Sequence, residues 1–267
     1  MIDYHNHVLP NVDDGPDSID VSLNMLRKAQ RQGITDVVNT VHFQHPKMYD
    51  KNVDYDYLVE QINKLQKVLN ENNINVKLHL SSEVFYLPNL IEVSKNPLNT
   101  IGNGKYMLIE FLPGIFPTGY DDQFYKLQLE GITPIVAHPE RYKFIKEDID
   151  ILKDWNSKGY IVQVGAGSIR GHFGDKIKTI SIEMIKKGYV HLIGSDAHND
   201  KRRNFCLKKT YDFLEKNISC EIVDIFKTNS QRVLAGEDMK SSKGSIDLLN
   251  TNNNFINRIK RRFKFLN

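Results

Sequence analysis

The sequence predicts an α/β protein built around a parallel sheet of about seven strands. Short apolar runs, several of them continuous in Val, Ile and Leu, alternate with longer segments that carry apolar residues at helical spacing. Continuous apolar runs are typical of parallel strands buried on both faces. Most of the helical segments end at a glycine shortly before the next strand. Repeated units of this kind form a barrel or a doubly wound sheet, and periodicity does not separate the two.

The predicted strands cover residues 2–4, 36–41, 76–80, 106–109, 133–137, 160–164 and 191–194. The predicted helices cover residues 17–32, 55–72, 120–130, 148–158 and 176–187. In the first helix Ile19, Leu23, Leu26 and Ala29 share one face, and Gly33 follows as a stop signal. No Gly-x-Gly-x-x-Gly motif follows the first strand, so the usual marker of a dinucleotide-binding fold is missing.

The composition changes near residue 236. Residues 1–236 are predicted to form the folded domain, 237–254 a polar linker and 255–267 a basic tail. In the tail Phe255, Ile259 and Phe263 recur every four residues opposite several cations, which predicts a basic amphipathic helix for an anionic membrane surface. A tail without fixed structure is the open alternative.

Composition excludes several classes of protein. The net charge of +3 is too small to indicate a nucleic-acid partner. There is no signal peptide and no apolar run long enough to span a membrane, which predicts a cytoplasmic protein. The two cysteines, Cys206 and Cys220, cannot form a disulfide framework. A cysteine-phosphatase mechanism needs Arg six residues after the cysteine, where this chain has Asp212 and Phe226.

Residues of metal-ligand type stand at or just beyond the carboxyl ends of six of the seven predicted strands. They are His5 and His7, His42, Glu83, Glu110, His138, and Asp196 with His198. In barrels and open α/β sheets the active site lies at this end. Residues far apart in sequence are therefore expected to meet there.

The donor types indicate divalent metal ions. Asp13-Asp14-Gly15, after the first strand, adds carboxylates to the imidazoles. A mixture of nitrogen and oxygen donors without thiolate suits Mn, Fe or Zn, and so many donors exceed the coordination of one ion, which predicts two or three ions. The remaining histidines are interpreted as structural or surface residues: His45, His79, His172 and His191.

Arginines follow two of the proposed ligands closely. Arg141 comes three residues after His138, and Arg202 and Arg203 come shortly after His198. A guanidinium group binds phosphate oxygens in a bidentate manner. Beside a multinuclear metal site these arginines favour a phosphoesterase over a metal-dependent amidohydrolase.

Three motifs now carry a family resemblance: residues 5–15 (HNHVLPNVDDG), 137–142 (AHPERY) and 194–199 (GSDAHN). They resemble the PHP (polymerase and histidinol phosphatase) superfamily, and more narrowly the bacterial capsule and exopolysaccharide tyrosine phosphatases of the CpsB/CapC type. The segments around Glu83 and Glu110 fit the same pattern. The resemblance covers residues 1–236 in matching order.

The resemblance implies a distorted (β/α)7 TIM-like barrel with a trinuclear site, usually described with manganese. The implied metal ligands are His5, His7, Asp14, His42, Glu83, Glu110, His138, Asp196 and His198. Arg141 and Arg203 match the phosphate-binding arginines. The chain departs from the pattern at Arg203-Asn204, where the family often has Arg-Pro, and at Thr40-Val41 before His42, where a small residue is usual.

The resemblance further implies a manganese-dependent phosphatase that acts on a phosphotyrosine protein, a membrane-associated tyrosine autokinase. Iron, zinc or magnesium would also suit the donors. The hypothesis for the reaction is in-line attack by a metal-activated water, with His42 or His198 as proton donor. Alternatives are a small-molecule phosphatase such as histidinol phosphatase and, in a different class, an amidohydrolase or a regulatory metal-binding module without turnover.

Overall fold

Seven parallel strands form one sheet in chain order in the computed structural model, which describes residues 1–48 and 53–239. The strands are β1 (Ile2–Asn6), β2 (Asp36–Phe43), β3 (Lys77–Phe85), β4 (Tyr106–Glu110), β5 (Thr133–Ala137), β6 (Ile161–Gly165) and β7 (Leu192–Gly194). The α-helices are α1 (Ile19–Arg31), α2 (Tyr55–Glu71), α3 (Leu90–Val93), α4 (Tyr120–Leu129), α5 (Lys143–Glu147), α6 (Ile151–Ser157), α7 (Ala166–Ile169), α8 (Asp175–Lys186), α9 (Leu207–Asn217) and α10 (Cys220–Ala235).

The first and last strands meet and close the sheet into a barrel. Asp196 N donates to His5 O and His7 N donates to Ala197 O, each at 2.8 Å. The closure is irregular because it uses residues just after β7, and the β1–β2 register also shifts between Asp3 and Asn6. The doubly wound alternative is excluded, since its strand order reverses at a switch point. The predicted distorted barrel of seven βα units is confirmed.

The helices bury the faces that the apolar spacing predicts. Helix α2 begins after Asp54, whose side chain accepts a hydrogen bond from Tyr57 N at 2.8 Å. Its buried residues are Leu58, Ile62, Leu65 and Leu69. Each of these side chains contributes about 1.5–3 kcal/mol by leaving water.

Several strands extend beyond their predicted ends. β3 continues through Ser81, Ser82 and Glu83 to Phe85, because β2 and β4 supply backbone hydrogen-bond partners on both sides. Glu83 therefore lies within a strand, not in the loop after it. A polar stretch carries no strand signal by itself, so the tertiary pairing decides its conformation.

Helices α9 and α10 were not predicted from the sequence. Helix α10 begins after Ser219, whose hydroxyl accepts from Glu221 N at 3.1 Å, and it packs against β1 and β7. The predicted helix at 148–158 is shorter in the structure and forms α6. Among the described helices, none combines the length and apolar character that a membrane span requires.

Helix α10 ends at the amino end of the barrel, where two glycines face each other. Gly236 has φ +73° and Gly102 has φ +64°. A Cβ atom on Gly102 would collide with the carbonyl oxygen of Val233. Beyond the predicted domain end, Lys105 Nζ lies 2.7 Å from Asp238 Oδ1. The remainder of the predicted linker and the predicted tail at 255–267 lie outside the described residues.

Candidate metal centre

The nine side chains predicted as metal ligands come together at the carboxyl end of the barrel. They are His5, His7, Asp14, His42, Glu83, Glu110, His138, Asp196 and His198. All are buried except Asp14, whose side chain is 39% exposed. Strands β1 to β4 supply four of them directly, and the loops after β1, β5 and β7 supply the other five.

One group of four ligand atoms surrounds a point between β1, β3 and β7. His5 Nε2 lies 3.2 Å and His7 Nε2 3.4 Å from Glu83 Oε2. The same two nitrogens lie 3.6 Å and 3.7 Å from Asp196 Oδ1. All four atoms fall within 4.8 Å of one another, which suits ligands of one ion.

Two further groups share residues with the first. Asp14 Oδ1 lies 3.3 Å from His42 Nε2 and 3.2 Å from His198 Nε2, and His7 completes this group. In the other group His42 Nδ1 lies 3.1 Å from Glu110 Oε1, and Glu83 is the third member. Glu83 thus belongs to two groups and, as a carboxylate, has an oxygen for each of two ions.

His138 approaches the cluster from β5. It belongs to none of the three groups in the described part of the chain, but its Nε2 lies 2.8 Å from Glu83 Oε1. Its backbone is in the left-handed region, with φ +33°, and Asp196 also has a positive φ of +52°. Such conformations cost about 1–3 kcal/mol each and are found where a site dictates the backbone.

The donor atoms that converge in the cluster suit divalent cations. Buried atoms that face the cluster have no hydrogen-bond partner among the described residues: Nε2 of His5 and His7, Nδ1 of His42 and Oε1 of Glu110. A buried polar atom without a partner is costly, so convergence of four such atoms needs a compensating group. Nitrogen and oxygen donors around one small space are what divalent metal ions bind.

Asp13 orients two of the histidines. Its Oδ2 lies 2.7 Å from His7 Nδ1 and accepts from His42 N at 3.2 Å, while its Oδ1 accepts from Gly15 N at 2.9 Å. The bond to Nδ1 leaves His7 Nε2 facing the cluster. From the sequence, Asp13 was predicted only as an additional carboxylate. The Asp-x-Gly turn that begins at Asp13 was the local signal that its side chain holds a neighbouring group in place.

Gln163 likewise orients a histidine of the cluster. It lies on β6, the strand that supplies none of the nine predicted ligand residues. Its Oε1 lies 3.0 Å from His5 Nδ1 and accepts from His138 N at 3.3 Å. Gly194 leaves the space for this contact, because a Cβ there would lie 2.7 Å from His5 Cβ. Gln163 was not predicted from the sequence because glutamine is not a typical metal ligand, although it lies near the carboxyl end of β6, as the ligands do on their strands.

Two arginines converge on one carboxylate of the cluster. Arg141 Nη1 lies 2.5 Å and Arg203 Nη2 2.9 Å from Asp196 Oδ2. Arg141 Nε and Nη2 and Arg203 Nε have no hydrogen-bond partner in the described residues, so donors remain for an anion. Arg141 also stacks over the Phe173 ring at 4.3 Å. Arg202 is exposed and makes no such contact, so the geometry favours Arg203.

The charges of the cluster depend on one another. Burial opposes ionisation of Asp196, but Arg141 and Arg203 outweigh it and hold its pKa well below the usual value. For His42 burial also opposes the charge, and the carboxylates of Asp14 and Glu110, 3.3 Å and 3.1 Å from its ring nitrogens, still raise its pKa to about 12. Metal binding by His42 would therefore release a proton.

The pKa of His198 is shifted in the opposite direction from that of His42. Burial, followed by the nearby His7, lowers its pKa to about 4. Its imidazole is therefore neutral at neutral pH, the form in which a histidine binds a metal.

The four histidines interpreted as structural or surface residues are divided between the two ends of the barrel. His79 pairs with Asp36 at 2.9 Å and His191 accepts from Val162 N, both far from the cluster. His172 is exposed. His45 lies at the edge of the cluster, with Nε2 3.7 Å from Glu110 Oε1 and its ring 4.8 Å from that of His42.

Comparison with known proteins gives the family. The family model described as "Capsular polysaccharide synthesis, CpsB/CapC" matches residues 1–235. The chain is 34% identical to CapC of Staphylococcus aureus over 238 residues, covering 89% of this chain and 92% of that protein. It is 32% identical over 240 residues to YwqE of Bacillus subtilis, named a tyrosine-protein phosphatase, with the same coverage of both chains.

A solved structure gives the same relationship. It comes from work on YwqE of Bacillus subtilis and CpsB of Streptococcus pneumoniae, described there as metal-dependent tyrosine phosphatases. The superposition has a TM-score of 0.86 at 32% identity and covers 91% of this chain and 98% of the other. The chain therefore belongs to the CpsB/CapC family, as the motifs around His5, His138 and Asp196 predicted.

Proposed function

We propose that this protein is a metal-dependent phosphatase of phosphotyrosine proteins. The observation that carries the proposal is the pair Arg141 and Arg203, whose unused N–H groups lie beside a cluster of metal-ligand side chains. An amide substrate has no anion for two guanidinium groups to bind, whereas a phosphoryl group has three oxygens. YwqE is named a tyrosine-protein phosphatase, and it and this chain share the CpsB/CapC family. The proposed substrate class is therefore phosphotyrosine in a protein.

Two or three divalent ions are proposed as cofactors, with manganese first and iron, zinc or magnesium as alternatives. The proposed ligands are the nine residues described above, and when bound such ions supply an activated water and Lewis acidity. Asp13 and Gln163 hold His7 and His5 in the orientation for ligation.

The chain's own residues orient the phosphoryl group. Arg141 and Arg203 would bind two of its oxygens and stabilise the charge that develops on them in the transition state. The Phe173 ring supports the Arg141 guanidinium and limits its movement. A tyrosinate leaving group needs less protonation than an alkoxide. Of the two proposed proton donors, His42 and His198, the raised pKa of His42 suits the role better than the lowered pKa of His198.

The proposed physiological substrate is a membrane-associated tyrosine kinase of capsule or exopolysaccharide synthesis. A kinase that uses ATP exposes its phosphotyrosines to the cytoplasm, so the phosphatase would act there, at the inner face of the membrane. The predicted tail at 255–267, proposed as a weak membrane contact, lies outside the described residues. Co-sedimentation with anionic vesicles, with and without residues 237–267, tests that contact.

The decisive experiment measures phosphate release by manganese-loaded protein from three substrates: a phosphotyrosine peptide, the same peptide with phosphoserine, and histidinol phosphate. We expect preference for phosphotyrosine. Arg141→Ala should reduce kcat/KM by about 100- to 1,000-fold, as for loss of a transition-state donor. The matched control is Arg27→Ala, because Arg27 is exposed on α1 and, within the described part of the chain, its side chain bonds only Asn24 and Asn72.

Two results would refute the proposal. One is no phosphate release with any of the four metals. The other is hydrolysis of histidinol phosphate at a much higher kcat/KM than the peptide, which would indicate a small-molecule phosphatase.

A further inference from the structure

A cavity of about 390 Å³, here called the basic cavity, lies between the end of α1 and the start of α9. Its charged lining residues are all cations: Lys28, Arg31, Lys201, Arg202 and Lys209. No carboxylate lines it in the described residues. The protein as a whole has a net charge of only +3, so this concentration of positive charge is local.

These cations have no ion-pair partner among the described residues. None of the five forms an ion pair of 4.0 Å or less with a described carboxylate. The neighbouring Lys208, by contrast, pairs with Asp212 at 2.8 Å. Like charges around one cavity repel each other, and an anion bound among them would relieve that repulsion.

Helix electrostatics explains only part of this arrangement. Lys28 and Arg31 lie in the last turn of α1, where cations interact favourably with the helix dipole. Lys209 lies in the first turn of α9, where a cation is unfavourable, and that turn has no acidic residue. Lys201 and Arg202 lie in no helix.

The basic cavity adjoins a second cavity that reaches residues next to the metal centre. This second cavity, of about 430 Å³, is lined by Lys201 and Arg202 together with Gly15 and Asn199, and also by the carboxylates Asp17 and Asp200. Gly15 directly follows Asp14 in the chain, and Asn199 directly follows His198. Asp14 and His198 both belong to the ligand cluster. Because the two cavities share Lys201 and Arg202, they form a groove from the residues next to the ligand cluster to the basic cavity.

We propose that the basic cavity binds a second anionic group of the substrate, a carboxylate or phosphate on the peptide segment next to the phosphotyrosine. This inference rests on the phosphatase function proposed above. With one phosphoryl group at the metal centre, an extended peptide advances about 3.3–3.6 Å per residue along the groove. The cations would also disfavour substrates that carry a positive group, such as histidinol phosphate.

The test compares four substrates: p-nitrophenyl phosphate and three phosphotyrosine peptides of equal length, whose flanking segment is neutral, glutamate-rich or phosphoserine-containing. The variant is Arg31→Gln/Lys209→Gln, at two exposed positions. The matched control, Lys64→Gln/Lys126→Gln, removes the same net charge from residues paired with Glu60 and Asp122 on other helices.

In the wild-type protein we expect kcat/KM about tenfold higher for the two anionic peptides than for the neutral one, as for a charge-assisted contact. The variant should lose this preference mainly through a higher KM, because the contact is made equally in the ground state. Its activity on p-nitrophenyl phosphate and on the neutral peptide should stay within about twofold of wild type. The difference between the two anionic peptides then shows whether carboxylate or phosphate binds better.

Equal use of the three peptides by the wild-type protein would overturn the inference while leaving the phosphatase function intact. An equal loss in the control variant would also overturn it, by assigning the effect to net charge. No release of phosphate from any of the three peptides would refute the proposed function, and the inference with it. If the variant lost binding to anionic vesicles with unchanged peptide kinetics, the cavity would serve a membrane surface instead.

Discussion

The two ends of the barrel satisfy their polar groups in opposite ways. At the carboxyl end, buried nitrogen and oxygen atoms of His5, His7 and Glu110 face one another without hydrogen-bond partners in the described residues. At the amino end His79 pairs with Asp36 at 2.9 Å, and His191 O accepts from Asn229 Nδ2 at 3.0 Å. The comparison indicates that the amino end stabilises the fold, while the carboxyl end is built for a ligand.

Substitutions should therefore have separable effects at the two ends. At the carboxyl end they should reduce metal binding and activity more than stability. At the amino end they should reduce stability and leave the activity of the folded protein unchanged. The following predictions test that separation.

The largest expected effect is at Glu83, which lies in two of the ligand groups. Glu83→Gln removes the carboxylate that those groups share, so phosphate release should fall by more than the 10- to 100-fold typical of an outer-partner change. The melting temperature of the metal-free protein should also fall, though less than activity does, because the substitution removes the buried partner of His5 and His138. Activity, metal content and thermal unfolding are the measurements.

The control for Glu83 is Asp36→Asn, a carboxylate on β2 at the opposite end that pairs with His79. It should leave activity unchanged and cost at most about 1 kcal/mol. Full activity in Glu83→Gln, or an equal loss of activity in Asp36→Asn, would remove the distinction between the two ends.

At the amino end Gly102→Ala should destabilise the protein by about 2–4 kcal/mol. The φ of +64° is unfavourable for alanine, and the new Cβ would collide with the end of α10. Gly104→Ala is a matched control in the same turn: its φ is +89°, but nothing lies within 4 Å of a Cβ there. Denaturant unfolding of both variants separates the collision from the backbone strain; similar losses would mean that the contact with α10 contributes little.

Asp13→Asn should lower metal affinity by about 10- to 100-fold, as for other outer partners of metal-binding histidines. The change is nearly isosteric, so the fold should be retained while the bond that orients His7 Nδ1 is weakened. Metal titration by calorimetry measures it, and saturating metal should restore most of the activity. Unchanged affinity would show that His7 is held in place by packing alone.

A pH-dependent effect is expected at the amino end. Burial lowers the pKa of His191 to about 4, against about 6.5 in an unfolded chain. Below pH 6.5 the unfolded state binds a proton that the folded state does not, so this residue destabilises the protein as the pH falls from about 6.5 to 4. His191→Gln keeps an acceptor for Val162 N and should become relatively more stable across that window. A pH-independent difference in unfolding free energy would contradict this.

The sequence alone determined the number of strands and the ligand types at their ends. Both depend on local patterns: apolar runs of strand length, glycines that end helices, and His, Asp or Glu after six of the seven runs. A polypeptide of this pattern places the carboxyl ends of its parallel strands together whichever sheet it forms, so the convergence of His5, Glu83 and Asp196 could be expected from spacing.

Only the tertiary structure decided the remaining features, because they depend on neighbours distant in the chain. The bond from Asp196 N to His5 O selects the barrel over an open sheet. Pairing with β2 and β4 makes Glu83 part of a strand, and contact with His5 gives Gln163 a role that its residue type does not suggest. The basic cavity likewise forms only where α1 and the start of α9 meet, since its cations are spread over more than 180 residues of the chain (28 to 209).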